Sequence, residues 1–200
     1  MLRKFYWTLL LTLWLLGSNI LLAQDVQYSQ FYAAPLYLNP ALTGASELTR
    51  VGINYRNQWP GLDHSFNSYS AYIDHYIFDY NSGVGLIFNG NQETLANLST
   101  NEVGLSYSYR LKLSEKFYFR LGAQASYMQR DAFFSDLVFG SMIDIVNGNV
   151  GVITDELNGI PLDSRHSFVT YAVGGMFYND KFWLGGSAHH LNEPNVSFIN

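Results

Sequence analysis

The sequence predicts an all-β chain, an antiparallel up-and-down transmembrane β-barrel of the outer membrane. Three observations predict it. From Thr100 to Leu113, Val103, Leu105, Tyr107, Tyr109, Leu111 and Leu113 alternate with Glu102, Gly104, Ser106, Ser108, Arg110 and Lys112. A strand sends successive side chains to opposite faces, so one face here is apolar and the other polar. The same alternation recurs in most segments downstream, with an aromatic-rich face opposite a polar or glycine-bearing one, as expected where lipid lies on one side and a wet lumen on the other. Finally, 14% of the 200 residues are charged and 16% aromatic, whereas a soluble domain carries about 25% charged residues.

Residues 1–23 read as a secretory signal peptide. Arg3 and Lys4 precede an apolar run from Phe5 to Leu16, and Ile20-Leu21-Leu22-Ala23 comes just before Gln24, which places the cut after Ala23. The alternative is an uncleaved anchor, since Phe5 to Ala23 is nearly long enough to span a bilayer. No other segment approaches the length of a membrane helix, so a mature chain that crosses a membrane crosses it as strands. Loss of Arg3 and Lys4 moves the formal net charge from −5 to −7, which argues against nucleic acid as a partner. The chain has no cysteine, which excludes disulfides, thiolate catalysis and cysteine-ligated metals.

Residues 24–48 carry Pro35 and Pro40 and no clean alternation, and read as an ordered, periplasmic or plug-like lead-in rather than a ladder strand. Pro40 pushes Asn39 toward extended geometry, and Gly44 can take the positive φ that closes a turn. Tyr28, Phe31, Tyr32, Leu36, Tyr37 and Leu38 need a surface to cover or a lumen to plug. Residues 49–200 then read as a partial barrel. Strands are expected at Thr49–Trp59, Ser65–Ile77, Gly83–Asn89, Thr100–Leu113, Phe117–Tyr127, Arg165–Phe177 and Phe182–His190. Turn signals separate them at Pro60-Gly61-Leu62-Asp63, Asn81-Ser82, Ser114-Glu115-Lys116 and Asn179-Asp180-Lys181.

At about 131–164 the rhythm breaks, and a loop of that length is expected to be a functional exterior loop or lid. Seven strands fall short of the even number, eight or more, at which bacterial barrels close, so the chain reads as an N-terminal fragment of a longer barrel. Trp59, Tyr76, Phe78, Tyr80, Phe117 and Trp183 lie toward strand ends, where a barrel places its interfacial girdles.

Chemistry is sparse. His64, His75, His166, His189 and His190 show no zinc-motif spacing, and adjacent residues on a strand face opposite ways. Ser187 and His189 share a strand face, but no Gly-x-Ser-x-Gly elbow surrounds the serine, and i, i+2 neighbours diverge. Gly83-Val84-Gly85 and Gly148-Asn149-Val150-Gly151 lack the Gly-Lys-Ser/Thr of a phosphate loop and instead suit close packing or curvature. Arg50, Arg56, Arg110 and Arg120 share polar faces with Glu102 and Asp74, which suits ion pairing inside a lumen; a charged surface for a partner is the alternative. No cofactor, metal or catalytic residue is expected.

Gln27-Tyr28-Ser29-Gln30-Phe31, the run Pro35-Leu36-Tyr37-Leu38-Asn39-Pro40-Ala41-Leu42-Thr43-Gly44, and Tyr55-Arg56-Asn57-Gln58-Trp59 resemble the opening of the PorP/SprF family. The stretch from Trp183 to His190-Leu191-Asn192 is similar to a later hallmark of that family. The resemblance spans nearly the whole mature chain, although family members are longer. It implies an outer-membrane barrel of the type IX secretion and gliding machinery of Bacteroidota, without catalytic activity. Such a barrel would sit in outer-membrane lipid, contact secretion-machinery proteins, and help export or attach large surface proteins that carry a type B C-terminal domain. The residues expected to matter are Asn39, Pro40 and Gly44 in the lead-in turn, with Arg56, Gln58 and Trp59 beside it, as structural organisers or a periplasmic contact. Two other readings remain open: a passive porin-like channel with a charged lumen, and a soluble exported β-sandwich.

Overall fold

The computed structural model describes residue 28 and residues 30–62, 65–94, 97–133 and 163–194. The signal peptide expected at 1–23, most of the loop expected at 131–164, His64 and Gly148-Asn149-Val150-Gly151 lie outside the described residues. Strands β1 (Arg50–Gln58), β2 (Phe66–Ile77), β3 (Ser82–Glu93), β4 (Leu98–Lys112), β5 (Tyr118–Phe133), β6 (Asp163–Tyr178) and β7 (Trp183–Ala188) form one sheet in chain order. Every pairing is antiparallel, and the up-and-down sheet curls into a half-barrel. No helix among the described residues is long and apolar enough to cross a membrane.

Burial follows the alternation, with the sense reversed relative to a soluble protein. On β4, Val103, Leu105, Tyr107 and Tyr109 are exposed on the convex face, while Gly104, Ser106 and Ser108 between them are buried. The same holds for Ile73 against Ser70 and Asp74 on β2, and for Leu121 and Tyr127 against Arg120, Gln124 and Ser126 on β5. An exposed apolar belt around a buried polar face is stable where lipid, not water, covers the belt. The buried apolar core is correspondingly small: Leu36 of the lead-in packs on Tyr72 and Ile87, with Tyr37 beside them.

Two ladders, β3 and β5, outrun the expected strands by several residues, while β7 ends at Ala188, short of the expected His190. β3 extends to Glu93 and β4 begins at Leu98, so the connection expected between Asn89 and Thr100 shrinks to residues 94–97, and β5 extends to Phe133. The expectation stopped where apolar alternation stopped, but a backbone ladder needs only a paired neighbour, and Gly90 is held opposite Tyr69, whose ring covers it. Connections at the two ends differ. Residues 78–81, 113–117 and 179–182 make short returns at one end, and residues 59–65, 94–97 and 134–162 join strands at the other. Local chemistry closes the short returns: Asn81 takes a left-handed φ of 50°, and the Asn179 side chain accepts from the amides of Lys181 and Phe182, both at 2.8 Å.

One aromatic expected in the girdles lies elsewhere: the parity of β2 turns Tyr76 inward with Asp74, leaving it 1% exposed, whereas Trp183 stays 71% exposed at the start of β7, where it also lines a cavity with Arg120. Trp59, Phe78 and Tyr80 are exposed at strand ends, and Phe117 stacks on Phe177 at 5.4 Å.

Candidate functional site

The polar concave face is occupied by the lead-in. Before Pro40, Asn39 takes φ −159° and ψ 121°, the extended geometry a following proline favours. From there its Oδ1 accepts from the Ala41 amide at 2.8 Å and caps the 3₁₀ turn Pro40–Leu42. The other end of the same amide reaches the sheet: Nδ2 donates to the carbonyls of Gly175 on β6 (3.3 Å) and Gly186 on β7 (3.1 Å). Thr43 is fully buried. Its carbonyl accepts from Ser108 Oγ at 2.6 Å and Arg120 Nη1 at 2.9 Å, and its hydroxyl donates to Ser106 Oγ at 3.0 Å.

Gly44 then turns with φ +65° and donates its amide to Asp74 Oδ2 at 2.6 Å. Arg50 grips the same carboxylate in a fork, Nε to Oδ1 and Nη2 to Oδ2, both at 2.9 Å, and Nη2 also reaches the Leu42 carbonyl at 3.2 Å. This bidentate arrangement joins a nearly enclosed carboxylate to a partly exposed guanidinium. On either side, Asn54 Nδ2 donates to Ala33 O at 3.0 Å and Ser187 Oγ to Leu38 O at 2.8 Å. Six residues, Asn39 to Gly44, are thus bonded to β2, β4, β5, β6 and β7, and Arg50 ties the segment to β1.

Backbone can lie this close to a sheet only where side chains are missing. A Cβ on Gly122 would overlap the Pro40–Ala41 peptide, one on Gly83 the Thr43 carbonyl, and one on Gly174 the Asn39 amide. These glycines form the bed in which the segment rests, an instance of the close-packing role expected for Gly83.

Of the four arginines expected to form ion pairs in the lumen, Arg50 and Arg110 do so among the described contacts. Arg50 pairs with Asp74, and Arg110 pairs with Glu47 of the lead-in while stacking over Tyr76 (4.9 Å to the ring centre) and Tyr118 (5.6 Å). Farther along the lumen Glu102 accepts from Asn89 at 2.8 Å and from Gln124 at 3.3 Å, so its partners are amides rather than arginines. Tyr28 sits edge-on to Tyr37 at 5.4 Å, and burial pushes its phenol up to about 12, so it stays neutral.

The family model for the type IX secretion system membrane protein PorP/SprF matches residues 20–200. The chain belongs to the PorP/SprF family. No curated protein matches it.

Of the residues singled out in this PorP/SprF chain, Asn39, Pro40 and Gly44 come together on the polar face. Arg56, Gln58 and Trp59 do not join them. The β1 residue beside the turn is Arg50, and Arg56 lies six positions along the strand, about 20 Å at strand rise. Trp59 is exposed at a φ of 60° and packs edge-on against Phe66 at 5.6 Å. Closeness in sequence to the turn misled here because an extended strand carries its far end to the opposite rim. Sequence reasoning placed Asp74, Ser106, Ser108 and Arg120 on polar faces but missed them as the groups that hold the segment. Their inward parity was the available signal. Ser187, considered as a nucleophile, gives its proton to Leu38 O and not to His189.

Proposed function

We propose that this PorP/SprF membrane protein is an outer-membrane barrel component of the type IX secretion and gliding machinery. It assists export or surface attachment of large surface proteins bearing a type B C-terminal domain through protein contacts rather than catalysis. The observation that carries the reading is the seat of Asn39–Gly44 on the polar face. A passive porin keeps such a face in water as a selectivity lining, whereas here serine, aspartate and arginine side chains are committed to main chain.

In this reading residues 1–23 direct export, residues 24–48 act as a plug-like segment, and lipid covers the convex belt. The short returns at 78–81, 113–117 and 179–182 face the periplasm, and residues 134–162 face outward, following the loop asymmetry of bacterial barrels.

The test is complementation of a deletion strain, scored by surface display of a type B cargo, with fractionation and planar-bilayer conductance run on the same protein. Outer-membrane recovery, restored display and no steady conductance support the secretion role. Steady conductance with no effect on display would favour the porin, and a soluble periplasmic pool would refute both.

A further inference from the structure

Arg120 is the unusual cation of the lumen. It is 1% exposed, yet among the described residues no carboxylate pairs with it. One of its five donors is used on the Thr43 carbonyl, and Nε is buried with no acceptor. Tyr76 offers only a ring face, 5.3 Å from the guanidinium carbon. Beside it lies a cavity of about 220 Å³ lined by Ala45, Arg120, Met176, Tyr178, Asn179 and Trp183. It lies at the rim of the short returns, where β6 passes into β7.

Arg120, buried with an unused donor and lining an open cavity, is a half-built ion pair. We propose that this cavity binds a carboxylate, which docks on the free edge of the Arg120 fork, with the Asn179 side of the cavity as its polar wall and Trp183, Tyr178 and Met176 flanking an apolar stem. A planar carboxylate matches the guanidinium fork. A phosphate dianion fits less well, because one cation with neither a helix N-terminus nor a glycine nest beside it leaves the second charge uncompensated. An acidic side chain and a peptide C-terminus present the same group, and carboxylate binding here does not depend on the secretion role.

The experiment is calorimetric titration of the full-length protein, purified in detergent, with three tripeptides of one scaffold. One carries a glutamate side chain as its sole carboxylate, one carries glutamine and a free C-terminus, and one is glutamine-containing and fully capped; inorganic phosphate is titrated alongside. The expected result is binding of one or both carboxylate peptides and none of the capped one. The tighter of the two identifies the source of the group. Ala45→Leu, which fills the cavity without touching the Thr43 bond, and Arg120→Lys, which keeps the charge and loses the fork, should each weaken binding about tenfold or more. No binding of either carboxylate peptide to the unaltered protein overturns the proposal. So does equal binding to the unaltered protein and Ala45→Leu, or phosphate binding as tight as that of the carboxylates.

Discussion

Asp74 serves two donors at once, the Gly44 amide and the Arg50 fork, from a side chain that is fully enclosed. Its removal leaves a guanidinium and an amide facing a void, so Asp74→Ala is expected to lower the unfolding free energy by about 3 kcal/mol, in the range for breaking one side of a buried pair. Urea unfolding in detergent, followed by gel mobility, measures it; a change within about 0.5 kcal/mol, as for a surface position, would mean that the segment does not depend on this carboxylate. Asn39 offers a sharper contrast because its two ends do different work. Asn39→Asp keeps the acceptor for the Ala41 amide but turns an anionic oxygen toward the carbonyls of Gly175 and Gly186. It should destabilise at least as much as Asn39→Ala, by about 1–3 kcal/mol. A cap-only role predicts instead that Asp is tolerated and Ala is not.

At the scale of elements, each strand was readable because alternation is a local signal, and so was the lead-in's exclusion from the ladder, because Pro35 and Pro40 remove donors. The extra length of β3 and β5 was not readable. Asn91, Gln92 and Glu93 carry no apolar alternation and are strand only because Ser99, Thr100 and their neighbours pair with them. The bed under the lead-in was likewise hidden, since a glycine in a strand does not announce what lies above it. Gly122→Ala and Gly174→Ala are expected to cost about 1–3 kcal/mol each through overlap with Pro40, Ala41 and Asn39. Both should also raise the protease sensitivity of the bond after Leu38. Gly61→Ala, where a Cβ meets nothing within 4 Å, is the control. Equal sensitivity in all three proteins would show that the segment does not rest on these strands.

For the whole molecule, the decisive property is which solvent meets the convex face. Leu105 sits near the middle of β4 and is 68% exposed. If lipid covers it, Leu105→Lys should cost about 2–4 kcal/mol and reduce recovery in the outer-membrane fraction. If water covers it, the substitution should leave both unchanged or improve solubility, and the β-sandwich reading would revive.

Taken by itself, the sequence determined the fold class, the seven strands, the inward and outward faces and the family, because period-two patterning, proline and turn residues act within a few positions of themselves. The tertiary structure decided what the polar face is for. The contacts that seat the lead-in include pairs far apart in the chain: Gly44 meets Asp74 across 30 positions, Asn39 meets Gly186 across 147, and Leu38 meets Ser187 across 149. Such pairings leave no periodic trace in the chain. They arise only when the curled sheet wraps its inward face around one short segment, and the same curvature leaves Arg120 at the edge of a cavity with no carboxylate among the described residues beside it.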